Sequence, residues 1–139
     1  MSTITVVLII CLFVLIVLSG FLSGSETALT ATSKPRILLK LKKGNKRAEY
    51  VLKILNNLDN VISSLLLSNN LVNILASSLA TAVLYDLFGV SGIVYATLIM
   101  TILIVIFAEI LPKTYSLNRP TRTSLFISPI IYYLSKILY

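Results

Sequence analysis

Three stretches of this chain carry no charge: residues 1–25, 60–85 and 87–108. A helix crossing about 30 Å of hydrocarbon needs roughly 20 residues, so each stretch is long enough to span. Spans are predicted over 3–25, 60–85 and 90–111. The segment between the first two has a different rhythm. Ile37, Leu38 and Leu41 recur at helical spacing among lysines, as do Val51, Leu52 and Leu55. Ser33 as N-cap, Pro35 in the first turn and Gly44 as a stop predict a hairpin of two short amphipathic helices over 34–58. A fourth uncharged stretch, 123–135, is too short to span. Its Pro129, paired Tyr132 and Tyr133, and Lys136 predict a belt helix over 120–139, with tyrosines at headgroup level. The pattern is expected to continue past Tyr139.

Composition agrees with the pattern. The 139 residues are 57% hydrophobic and only 12% charged, whereas soluble domains are about half apolar and about a quarter charged. The fold class is therefore an all-α membrane protein with three transmembrane helices, a basic juxtamembrane hairpin and a C-terminal interfacial helix. Eight of the twelve basic residues lie between Lys34 and Lys53, and Lys113, Arg119 and Arg122 follow the third span. The loop between spans two and three carries only Asp86. The positive-inside rule then puts the hairpin and C-terminus in the cytoplasm and the N-terminus outside, in a plasma (inner) membrane. The first span is not a cleaved signal: no Lys or Arg precedes Lys34, and the apolar run is too long. The hairpin's lysines suit an anionic membrane surface, and no nucleic-acid partner is expected.

Cys11 is the only cysteine, so no disulfide forms within the chain. The absence of histidine removes the commonest soft-metal ligand, and any metal site must be built of oxygen. With no Gly-rich phosphate loop and no nucleophile paired with a base, no enzyme is expected.

Polar residues interrupt all three spans. An acid at membrane depth costs roughly 2.5 kcal/mol or more and marks a functional candidate. Glu26 ends the first span in SGSE, and Glu109 ends the third in AEILPK. Around Glu26, Gly20 and Gly24 form a small-xxx-small pair that lets helices approach closely. The alternative is that Ser23 and Ser25 offer hydroxyls and that the Gly-Ser run unwinds at Gly24. In SNNLVN of the second span, Asn69 and Asn73 share a helical face while Asn70 points about 100° away. These amides serve either interhelical packing or a cavity shared with the acids. Pro112 lacks an N–H, so the carbonyl four residues earlier, that of Ala108, is expected to lose its helical partner. All these donors are hard oxygens, suited to Mg²⁺, Ca²⁺ or Na⁺.

In order and spacing, LSGSETALTA, LLLSNNLVNILASSLAT and IFAEILPKTY closely resemble the membrane domain of the CNNM/CorC magnesium transporters, over nearly the whole chain. The resemblance implies a homodimer in the lipid bilayer that exports dehydrated Mg²⁺, with Na⁺ as coupling ion, and alternating access is the expected mechanism. It implies an ATP-binding pair of CBS modules after residue 139. Its implied ligands are Ser23, Glu26, Asn69, Asn73, the Ala108 carbonyl and Glu109, with Ser25 and Asn70 as possible additions. Ser68 and Ala108 stand where this family often has glycine. The alternatives are a non-transporting scaffold or regulator of magnesium homeostasis, and a membrane-lytic protein.

Overall fold

The computed structural model describes residues 3–138. Tyr139, the last position of the expected belt helix, lies outside them. The described residues are helical throughout apart from short connections, with no strand. The helices are α1 (Thr3–Ala31), α2 (Lys34–Lys42), α3 (Arg47–Leu55), α4 (Leu58–Phe88), α5 (Val90–Leu103), α6 (Leu111–Asn118) and α7 (Pro120–Leu138). A π-helical segment, Ile104–Ile110, joins α5 to α6 without a break, so the third long helix runs from Val90 to Asn118.

Three helices are long and apolar enough to cross a membrane. Only 17%, 22% and 17% of their most apolar windows is buried inside the molecule. The remaining apolar surface faces outward, which suits lipid and would be an aggregation liability in water. The helices outrun the uncharged stretches: α1 passes Glu26 and continues to Ala31, and the third helix passes Glu109. In hydrocarbon a helix satisfies every internal backbone group, so a single acid does not end it.

The expected unwinding at the Gly-Ser run is absent. α1 is continuous, and its hydroxyls return to carbonyls one turn back: Ser25 to Phe21 at 2.7 Å, Thr27 to Ser23 at 3.1 Å. The glycines serve close approach. A Cβ on Gly20 would lie 3.2 Å from Pro112 Cγ and 3.3 Å from the Phe107 carbonyl. One on Gly24 would lie 3.1 Å from Ser116 Oγ. The packing reading of this small-xxx-small pair therefore holds, with the third helix as its partner.

α1 packs antiparallel to α4, with Thr5 Oγ1 donating to Asp86 Oδ2 at 3.5 Å near their shared end. α4 turns into α5 at Gly89, whose φ of +70° favours glycine. There Gly92 packs onto the Leu84 carbonyl, which leaves no room for a side chain. Towards this end Ala76, Ala80 and Met100 make a thin seam between α4 and α5. At the other end α7 lies across the bundle. Its Ile127 and Ile131 join Leu22, Leu29, Ile54, Val61, Leu65 and Val72 in the main core. Its Leu125 closes a second cluster with Ile37, Ala48 and Val51 of the hairpin. α2 stops where the sequence places Gly44, at φ +89°.

Candidate metal site

Two pairs of polar residues, each four apart, meet between α1 and α4. Ser19 and Ser23 project from one turn of α1, and Asn69 and Asn73 from the facing turn of α4. Ser19 Oγ lies 2.7 Å from Asn69 Oδ1 and 2.6 Å from Asn73 Oδ1. Asn69 Nδ2 donates to Ser23 Oγ at 3.1 Å. Ser19 and Ser23 are both 1% exposed, so the cluster is shielded from its surroundings on the α1 side.

A hydroxyl has one proton, so at most one of the two short Ser19 contacts is an ordinary O–H···O bond. The other brings two oxygens together, unless an asparagine turns its amide to donate. A small cation among the three would relieve that contact. Neighbouring ligands of an octahedron with bonds of 2.0–2.1 Å stand about 2.9 Å apart. The separations of 2.6 and 2.7 Å need only slight widening to reach that spacing.

The third helix supplies the same level from the other side. Gly20 of α1 lies against Phe107 O and Ala108 Cα, and Gly24 against Pro112 and Ser116. Ala108 is fully buried and Glu109 half-buried. The two helices run parallel here, which puts Glu109 at the depth of the serine–asparagine cluster. Glu26 is half-buried and three residues beyond Ser23, about 4.5 Å further along the axis at 1.5 Å per residue. It shares a helical face with Ser19 and Ser23. Neither carboxylate has a hydrogen bond or ion pair within the described residues.

The π-helical segment alters the expectation built on Pro112. The Leu111 N–H goes to Ile106 O, five residues back. In that register the donor position for Phe107 O is Pro112, which has no N–H. The carbonyl left short of a helical donor is thus that of Phe107, one residue before the expected Ala108, and it faces Gly20.

Of the expected residues, Ser23, Asn69 and Asn73 come together directly, with Ala108 and Glu109 level with them and Glu26 a turn away. Ser25 turns to Phe21 O, and Asn70 is exposed. Gly24 and Pro112 pack against each other with no break in either helix. Ser19 was not among the expected ligands, although it is the hub of the cluster. Its signal was the four-residue spacing to Ser23, which matches that of Asn69 to Asn73.

A separate cavity lies beyond the cluster, between α4 and the third helix. Along α4, Ser77 and Thr81 continue the line of Asn69 and Asn73 at four-residue steps. They border this cavity, of about 350 Å³, with Thr97, Thr101 and Val105 of the third helix. Glu109 is four residues past Val105 on that same line.

Comparison with known proteins fits this architecture. Residues 10–139 match the family model described as the cyclin M (CNNM) transmembrane N-terminal domain. The whole chain is 41% identical to a UPF0053 protein of Haemophilus influenzae, of which it covers 32%. Over 107 residues, 77% of the chain, it is 40% identical to the UPF0053 inner membrane protein YfjD of Escherichia coli, covering 25% of that protein. The chain thus spans about a third or less of these relatives. A match across nearly all of a three-span helical chain is decisive for kinship: the chain belongs to the cyclin M transmembrane-domain family.

Proposed function

We propose that this chain is the ion-carrying membrane domain of a magnesium transporter, working by alternating access, and that it is not an enzyme. The carrying observation is the oxygen cluster: one serine hydroxyl held at 2.6–2.7 Å from two asparagine oxygens at mid-bundle. Mg²⁺ is the cargo. Ser19, Asn69 and Asn73 would supply neutral oxygens, with Ser23 and the Phe107 carbonyl, the one short of a helical donor, completing the cage. Glu109 would supply negative charge at the same depth, and Glu26 would receive the ion one turn further on.

Each feature has a physical reason. Mg²⁺ gives up water reluctantly and demands near-octahedral oxygen geometry, so a site that strips it must offer about six placed oxygens. Two carboxylates offset the charge of one divalent cation. Their own burial is costly when no ion is bound. A site that holds the ion this closely, on continuous packed helices, favours a rocking exchange over an open pore. Na⁺ takes the same hard donors, which supports it as the coupling ion. Export is the direction in this reading, with the basic hairpin and C-terminus on the cytoplasmic face of the inner membrane. The functional unit is a homodimer, and ATP acts only through cytoplasmic CBS modules beyond this chain.

The test is Mg²⁺ flux in proteoliposomes loaded with a magnesium-sensitive dye under an imposed Na⁺ gradient. Wild-type protein should move Mg²⁺, and Asn69→Ala should abolish the flux while remaining folded. Equal flux in both would refute the proposed site. One observation favours a second reading, a scaffold or regulator of magnesium homeostasis: Ser19, Ser23 and the asparagines already bond one another. That reading predicts no flux at all and a loss of stability on replacing Asn69.

A further inference from the structure

The hairpin and α7 enclose a cleft of about 540 Å³ that plays no part in the oxygen cluster. Lys40 enters it from α2, Arg47 from the start of α3 and Arg122 from the first turn of α7. No carboxylate lines it. The sole ion pair among the described residues, Lys53 with Glu49 at 3.7 Å, lies elsewhere. Three cations converging without a counter-charge repel one another, and an anion between them removes that cost.

The cleft is ordered for such a role. Arg47 donates from Nη1 to the Phe126 carbonyl at 3.2 Å, and its backbone N–H is held by Asn45 Oδ1 at 3.1 Å. The guanidinium also stands 5.9 Å from the centre of the Phe126 ring. Its remaining N–H groups are therefore positioned but not consumed. Thr121 Oγ1 and Thr32 Oγ1 lie 3.1 Å apart, so one hydroxyl proton of the two is left for another acceptor. Thr32 directly follows α1, so the cleft sits where the first span ends. Phe126, which lines the cleft, is exposed although apolar, and so are Leu38 and Leu41 on the helix that carries Lys40. A cationic socket with outward apolar side chains on the helices that form it, at the end of a membrane span, matches a headgroup with acyl chains attached.

We propose that this cleft binds the phosphoryl headgroup of an anionic phospholipid, with Lys40, Arg47 and Arg122 as its ligands. The proposal stands apart from the transport reading. It is tested by native mass spectrometry of the detergent-purified protein with added phosphatidylglycerol or phosphatidylcholine. The test variant is Lys40→Gln/Arg122→Gln, which spares the anchoring bonds of Arg47. Each basic group near an anionic surface contributes about 1 kcal/mol, so losing two should lower retention of phosphatidylglycerol by roughly thirtyfold. A control variant, Lys42→Gln/Lys43→Gln, removes the same charge from the end of α2 and its cap, outside the cleft, and should retain the lipid as wild type does. An equal fall in both variants, or none in the first, would overturn the site. Equal retention of phosphatidylcholine, or displacement of the lipid by millimolar inorganic phosphate, would overturn its assignment to an anionic lipid.

Discussion

Ser19 shows how much one atom decides. Its hydroxyl touches two asparagine oxygens, and no other side chain of α1 has an observed hydrogen bond to both. Losing one such contact to an ion typically costs 1.5–3 kcal/mol, so Ser19→Ala should weaken Mg²⁺ binding by roughly ten- to a hundredfold. Ser25→Ala and Asn70→Ala should leave the affinity unchanged, since neither side chain reaches the cluster. Isothermal titration of the three variants separates these outcomes. Glycine at position 20 has a different job. A methyl there would meet the Phe107 carbonyl and the Pro112 ring at 3.3 and 3.2 Å, and neither can swing aside. Gly20→Ala should destabilise the protein by about 1–3 kcal/mol, read as a lower melting temperature in detergent. Gly92→Ala should be worse, because its methyl would run into the backbone of α4.

The third helix shows what periodicity does not reveal. Uncharged length is enough to locate the spans, and Ser33, Pro35 and Gly44 are enough to place the hairpin. Proline signals a break only in an α-helical register, however. Here a π-helical segment precedes Pro112 and lets the helix continue, a choice made by packing against Gly20 and Gly24. In the same way Glu26 and Glu109 looked like helix ends, but polar residues that face a neighbouring helix need not stop a span. Ser19 stayed hidden because a serine among glycines reads equally well as packing, and its asparagine partners are fifty or more residues away. Restoring the N–H should test the π-helical segment. Pro112→Ala is expected to let it relax toward α-helix, turning one half of the span by up to about 100° against the other. The protein should stay folded by circular dichroism yet lose at least about tenfold in Mg²⁺ affinity, since a misplaced ligand forfeits more than 1.4 kcal/mol. Unchanged affinity would show that the segment does not set the position of Glu109.

At the scale of the molecule, α7 and the hairpin tie the ends of the spans together. Leu125 belongs to the hairpin cluster and Ile127 to the bundle core, two residues apart on one helix. Arg47 and Ser128 bind α3 to α7 by two further bonds, Nη1 to Phe126 O and Ser128 Oγ to Arg47 O. Movement of α1 against α4 would therefore be felt at the basic surface. In the proposed cycle the ion leaves its cage as that packing shifts, and the polar line through Ser77 and Thr81 offers a route toward the Asp86 end. The most direct test is Mg²⁺ titration calorimetry on the purified protein beside Asn73→Ala and Glu109→Gln. The account predicts saturable binding in the wild type and its loss in both variants, with melting curves retained. Wild-type heats that persist in Asn73→Ala and Glu109→Gln would contradict it.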